Sequence, residues 1–460
     1  MNQWITWDRK HLWHPFTPID SWLDPSYSPI LIENGEGAHL IDQNGKKYLD
    51  GNSSIWTNLH GHAHPELTEA INEQAAKISH SSFLGLTHPL AAQLAKELIQ
   101  LTQQKDPNNL SRTFFSDDGS TAIETAIKIV YQYFQQNEEP QRTKFFSLSS
   151  AYHGDTVGAM SLGQSPTFHH SYQNLLFKTE EIRAPYCYRC PYNRSKPEKK
   201  DARLTCKCKM ECVKLAEQKL TQSTKENAAW VVEPRVQGAA GFIMHPEGYL
   251  TKTCKIAQET GAKVILDEVM TGFGRTGPLF AFQKEDVKPD LMALAKGLTG
   301  GYLPLAATLC TEKIFDGFRG DLSRTFYHGH SYTGNQLGCA AAVKNIELLQ
   351  RTESQAHREK LTNQLAQQSQ SFWQHPHVGD IRQEGLVLAI ELVEDFATRK
   401  PFPTQKRLGY HICEKAKDYG LLTRPVGDVL MLMPPYCTTT SQLNEMLEAL
   451  QNALMDILPA

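Results

Sequence analysis

Between about residue 90 and residue 310, short apolar runs alternate with helical patterns, and this rhythm limits the fold more than any other feature of the chain. Strands separated by helices return to the same sheet as parallel neighbours, so the segment predicts β/α units on a largely parallel sheet. Candidate strands are Thr113 to Ser116, Lys144 to Ser149, Ala229 to Glu233, Val264 to Asp267, Leu291 to Ala295 and Leu305 to Cys310. Between the first two, Ile123, Ile127, Val130 and Phe134 recur at spacings of three and four, which predicts an amphipathic helix with its apolar stripe toward the sheet.

The ends of the chain read differently. Ile41-Asp-Gln-Asn-Gly-Lys-Lys-Tyr48 carries the Asn-Gly turn of a hairpin, and the chain after residue 340 becomes helix-rich and polar. These ends are expected to form one smaller α+β domain from residues 1–60 and 336–460, beside a large α/β domain over residues 61–335. One insertion, residues 185–212, interrupts the β/α rhythm and holds five of the ten cysteines. Cys187-x-x-Cys190 followed by Cys206-x-Cys208-x-x-x-Cys212 is close enough in spacing for four thiolates to hold a structural zinc, which would staple a segment poor in apolar residues. The bland alternative is a set of reduced, solvent-facing thiols.

Charge excludes some functions. With 47 basic against 50 acidic residues the net charge is −3, so no cationic surplus exists to drive nucleic-acid binding. The N-terminus lacks the pattern of a secretory signal, and no apolar run reaches the length of about 18 residues that a membrane span needs. A soluble cytoplasmic protein with no membrane or nucleic-acid partner is expected.

Three stretches carry the residue types that a pyridoxal 5′-phosphate (PLP) site needs: a lysine for the aldehyde, an acid for the pyridine nitrogen and a cradle for the phosphate. Lys296 ends the apolar run Leu291-Met-Ala-Leu-Ala and is followed by Gly297, Gly300 and Gly301. A lysine that merely snorkels to solvent is the plain alternative. Asp267 ends Val264-Ile-Leu and opens a glycine-rich loop, the usual place for function in open α/β sheets, although an Asp there can also cap a helix. Gly119, Ser120 and Thr121 lie between a strand and the amphipathic helix, where free N–H groups and the helix dipole attract anions. Thr121 and Glu124 also fit an ordinary capping box. Tyr152, in Ala151-Tyr-His-Gly-Asp155, follows another strand and is placed to stack on a cofactor ring; core packing is the alternative.

The order of these motifs, at the ends of successive strands, resembles the class III aminotransferases, PLP enzymes of fold type I. The resemblance spans nearly the whole chain and is strongest from Ile265 to Gly277 and from Pro289 to Gly301. It implies Lys296 as the residue joined to the PLP aldehyde, Asp267 at the pyridine nitrogen, Tyr152 on the ring, and Gly119 with Ser120 at the phosphate. It also implies a homodimer in which Ser331 reaches the neighbouring subunit's phosphate. His11 to Thr17, Gly51 to Trp56, Tyr327 to Asn335 and Thr423 to Asp428 are similar to the members that aminate 8-amino-7-oxononanoate in biotin biosynthesis. Arg424 is then expected to pair with the acceptor's carboxylate, and Phe16 and Trp56 to line its channel. Asp155, Arg275 and Gly329 are further expected substrate contacts. Phe16, Ile55-Trp56 and His330-Ser331-Tyr332 resemble the branch that takes its amine from lysine, so lysine and S-adenosylmethionine both remain as donors. Rival readings are another ω-amino acid aminotransferase, an aminomutase on the same fold, and a binding module with a decayed site.

Overall fold

The computed structural model describes residues 2–103, 110–163 and 166–459. Its central sheet contains β1 (Leu110–Ser116), β2 (Lys144–Leu148), β3 (Glu180–Ile182), β4 (Asn227–Val232), β5 (Lys263–Asp267), β6 (Leu291–Leu294) and β7 (Ala306–Thr311). The order across the sheet is β1-β7-β6-β5-β4-β2-β3. Neighbours from β6 to β3 run parallel, and β7 runs antiparallel to both β6 and β1. The chain is therefore α/β with a mixed, mostly parallel sheet, and each expected strand is present with ends shifted by a few residues. Every residue of β4, β5 and β6 is buried, because helices cover both faces, and this is why these runs lack polar alternation.

Helix α1 (Gly119–Gln136) packs on the sheet through Ile123, Ile127, Val130 and Phe134, all buried. Its cap differs from the expected one. Asp118 accepts from Thr121 N at 2.9 Å while Thr121 Oγ1 accepts from Asp118 N at 2.9 Å, so the box closes on Asp118 and Thr121. Glu124 is left to accept from Gly158 N at 2.6 Å.

The expected hairpin is formed by His39–Asp42 and Lys47–Asp50, with Leu40 opposite Tyr48 and Gly45 at φ +80° in the turn. Leu421–Leu422 joins the same sheet in parallel with Leu49 and Asp50, so the two ends of the chain share one sheet. A second, antiparallel sheet of Val378–Glu384, Val387–Leu392 and Val429–Leu432 was not legible as strands, because its buried positions include Asp380, Arg382, Glu384 and Glu391. No helix among the described residues is long and apolar enough to cross a membrane.

Those charges hold the insertion. Arg203 pairs with Asp201 and, at 2.8 Å, with Glu384; Arg189 Nε reaches Glu391 at 2.8 Å; Ala202 N donates to Asp380 at 3.0 Å. The zinc expected at the cysteines of this segment finds no support. Among the described residues no three His, Cys, Asp or Glu side chains are arranged to hold a metal ion, and Cys187, Cys190, Cys206, Cys208 and Cys212 are free thiols. Cys206 and Cys208 Sγ lie 3.7 Å apart, and burial pushes the thiols of Cys187 and Cys212 up, the latter to about 12. Buried guanidinium–carboxylate pairs tie this segment to the C-terminal sheet.

Glu384 is the centre of these pairs. Burial alone would raise its pKa, but Arg235, Lys284 and Arg203 outweigh burial and hold it at about 2. A carboxylate depressed from its ordinary 4.5 stabilises the fold fully above that value, and the contribution fades as pH falls toward 2. Glu384→Gln is therefore expected to cost about 3 kcal/mol at neutral pH, and the gap to the wild type should narrow between these two pH values. Denaturant unfolding at several pH values reads this; parallel stability curves for the two proteins would contradict it.

Candidate active site

The C-terminal ends of β1, β2, β4, β5 and β6 open onto one cleft of about 460 Å³. Each strand contributes the residues that follow it: Asp117 to Ser120 after β1, Tyr152 to Gly154 after β2, Glu233 after β4, Asp267 and Val269 from β5, and Lys296 after β6. Convergence at this edge follows from parallel pairing, which places all the carboxyl ends on one side.

Lys296 takes φ +38°, a strained value for a side-chain-bearing residue, as the first residue of a short helical turn capped by Gly300. Burial draws its amine below the usual lysine range, opposed by the charges of Asp267 and Glu233. Its Nζ lies 4.9 Å from the centre of the Trp56 ring. Trp56 is presented by four successive residues in the left-handed region, Ser53, Ser54, Ile55 and Trp56, at φ 51°, 49°, 65° and 68°. Left-handed conformations cost roughly 1–2 kcal/mol per residue, so the surroundings must hold the turn. Asp50 does so by accepting from Ser54 N at 3.0 Å and Ser54 Oγ at 2.8 Å, and Ser53 Oγ donates to Met433 O at 2.6 Å.

Asp267 is buried. Its Oδ2 accepts from His153 Nδ1 at 2.7 Å and its Oδ1 from Val269 N at 3.0 Å. Burial opposes a charge on His153, but the hydrogen bond and charge of Asp267 prevail and raise the pKa of the imidazole. Tyr152 Oη donates to Asp155 at 2.7 Å, and burial, followed by that bond, drives its phenol pKa upward. Val269, which also lines the cleft, approaches the first turn of α1 so closely that a Cβ on Gly119 would lie 2.7 Å from it. Ser120 Oγ accepts from Asp155 N at 3.1 Å, which ties the Tyr152 loop to the helix start.

The cleft thus offers backbone N–H groups at a helix N-terminus, an aromatic ring, an aliphatic side chain, a buried carboxylate and an enclosed amine. A flat ring bearing a phosphate at one end and an aldehyde at the other fits this arrangement, which defines a PLP-dependent α/β enzyme. The class III aminotransferase family matches residues 23–454, and the chain belongs to that family. A relative from Geobacter sulfurreducens named adenosylmethionine-8-amino-7-oxononanoate aminotransferase is 42% identical over 453 residues, 97% of this chain and 96% of that one. The crystal structure of the like-named Methanocaldococcus jannaschii protein superimposes with a TM-score of 0.90 at 38% identity, covering 99% of both chains. An amine transaminase from an uncultivated Pseudomonas species, solved in a PLP-bound form, gives 0.87 at 31% identity over 97% of this chain and 98% of its own.

Of the expected site residues, Trp56, Gly119, Ser120, Tyr152, Asp267 and Lys296 line the cleft, and Asp155 touches two of them. Phe16 lies at the rim, edge-on to Phe168 at 5.7 Å, which in turn meets Tyr152 at 5.7 Å. Gly329, Ser331 and Arg424 are exposed and do not line the cleft of their own chain. Arg275 is only 1% exposed, behind the cleft; its Nη groups donate to Asn58 O at 2.8 Å and Pro434 O at 3.1 Å, and it lies against the Tyr436 ring. The guanidinium is thus occupied in joining the two ends of the chain. Two further cleft residues carry no functional expectation from sequence: His153, which reads as core packing beside Tyr152, and Glu233, which reads only as the end of a strand. The signal that marks Asp267, an acid closing a fully buried strand, also marks Glu233.

Proposed function

We propose that this chain transfers an amino group to 8-amino-7-oxononanoate, forming 7,8-diaminononanoate for biotin biosynthesis, with lysine or S-adenosylmethionine as donor. The observation that carries the reading is the cleft in which Lys296, Asp267, Tyr152 and the start of α1 converge beneath Trp56. The substrate-side stretches around Trp56 and Arg424 and the names of the relatives favour this acceptor over other ω-amino acids. PLP, the cofactor of the family, supplies an electron sink for the carbon that loses its proton. The N–H groups of Gly119 and Ser120 would hold its phosphate, Tyr152 would cover its ring and Asp267 would keep its pyridine nitrogen protonated. Lys296 would hold its aldehyde, and its amine would carry the proton away from the carbon bearing the donor's amine.

Donor and acceptor use the same cleft in turn. Phe16 and Trp56 line the path of the aliphatic chain, and Arg424 pairs with the carboxylate at its far end. A cytoplasmic homodimer would complete the site, with Ser331 of each copy reaching the phosphate bound by the other, and Gly329 a further substrate contact. Support for this lies in apolar side chains open to solvent in the single chain, including Trp13 at 85%, Leu84 at 88% and Leu322 at 80% exposure. The test incubates the protein with PLP, 8-amino-7-oxononanoate and each donor separately, and follows diaminononanoate by mass spectrometry. Product with one donor is expected; none with either overturns the reading. In the same assay Arg424→Ala should weaken the acceptor by about 2 to 5 kcal/mol, and an unchanged acceptor KM would remove that role.

A further inference from the structure

Glu233 closes β4 inside the cleft, and none of the roles above uses it. Its side chain is enclosed, the residue being 7% exposed. Among the described residues its hydrogen-bond donors are two backbone groups, Tyr152 N at 3.3 Å on Oε1 and Gly238 N at 2.9 Å on Oε2. A carboxylate has about four acceptor sites, so each oxygen keeps a lone pair free. Burying such a group with so few partners is costly unless a cation meets it.

Its neighbours say where that cation would be. Gly238, which donates to Oε2, approaches Trp56 so closely that a Cβ on it would lie 3.2 Å from the indole. Trp56 in turn covers Lys296 Nζ, and the charge of Glu233 acts on that amine. Glu233, Gly238 and Trp56 therefore form one wall beside the reacting lysine. The acceptor named above carries an ammonium group on the carbon next to its reacting carbonyl. We infer that Glu233 is the counter-charge for that ammonium and selects amino ketones over plain ketones.

The inference rests on the proposed function and sharpens it. Burial, reinforced by Asp267, lifts the carboxyl to about 7, with His153 opposing. The group is thus neutral for part of the time near neutral pH, and an arriving cation favours its charged form. A donor that presents a carboxylate meets the neutral acid, whereas the acceptor's ammonium meets the anion, so one wall serves both partners.

The experiment compares 8-amino-7-oxononanoate with 7-oxononanoate, which lacks only the amine. The wild type should prefer the amino ketone in kcat/KM, and Glu233→Gln should reduce that preference by about 10- to 100-fold, the worth of one charge-assisted hydrogen bond. Glu233→Asp, which keeps the charge, should recover part of it, a rescue that a purely structural role would not give. An unchanged preference in Glu233→Gln would overturn the inference. Calorimetric binding of the same two ketones reads Glu233 without turnover, so a wild type that binds both but aminates neither counts against the proposed function and not against Glu233. Equal loss of binding for both ketones in Glu233→Gln would count against Glu233.

Discussion

Lys296→Ala is expected to lower kcat by about 10⁴-fold or more while leaving the fold intact, because in the proposed function one amine would serve both as covalent partner and as proton carrier. The amine is enclosed, with its pKa drawn down by burial and held from falling further by Asp267 and Glu233, so it gives up a proton more readily than a solvent-exposed lysine. The backbone at this position already takes φ +38°, and alanine inherits that conformation with nothing added to the strain. The loss should be kinetic, not structural. Steady-state rates and thermal unfolding together check this. Borohydride reduction followed by digestion checks the covalent part: the pyridoxyl label should appear on the peptide containing Lys296 and disappear in the variant. A label on another peptide, or a variant that keeps wild-type turnover, would end the assignment. Adding a small primary amine should restore part of the proton-transfer rate in Lys296→Ala, since the vacated volume beside Trp56 admits one.

The sequence announces the central sheet because its strands are buried on both faces and therefore apolar without interruption. The edge strand Glu180–Ile182 escapes for the opposite reason, being three residues long with two glutamates. The C-terminal sheet escapes because periodicity reasoning assigns charged residues to the surface. Here Asp380, Arg382, Glu384 and Glu391 point inward to one another and to Arg189 and Arg203, partners lying about 180 to 200 residues away in the chain. Long-range charge pairing leaves no local pattern to read.

The same distinction separates the site residues that are legible from those that are not. Lys296, Asp267, Gly119 and Tyr152 each follow an apolar strand, and parallel topology alone brings strand ends together, so local sequence is enough to place them. Arg275 belongs to a glycine-rich loop that also leaves such a strand, yet its guanidinium turns away to carbonyls at Asn58 and Pro434. Nothing local distinguishes an arginine that meets a substrate from one that bridges two distant loops. Glu233 has the same local mark, with Gly238 and Gly241 behind it as Gly272 and Gly274 stand behind Asp267, but the cofactor needs only one acid at its ring nitrogen and so gives a second acid no role to be read from sequence.

Asp267→Asn is expected to lower kcat by about 10²- to 10³-fold in both half-reactions, the size of effect seen when one preorganised electrostatic contact is removed from a site. Asparagine matches aspartate in shape, and its oxygen can still accept from Val269 N, so position is kept and charge alone is lost. In the proposed function, without that charge the pyridine nitrogen of the cofactor would no longer be held protonated, and the ring would withdraw electrons less strongly from the carbon that gives up its proton. The contribution is larger in the transition state than in the ground state, so kcat should fall and substrate binding should change little. A second readout follows from His153. Its raised pKa depends on Asp267 outweighing burial; with asparagine in place, burial is unopposed except by Glu233, and the imidazole should lose its proton at a lower pH. Titration of the His153 ring by NMR would show that fall even in protein without cofactor. Wild-type kcat in Asp267→Asn would mean that the acid does not act on the ring nitrogen; an unshifted imidazole would mean that the 2.7 Å contact contributes no charge stabilisation.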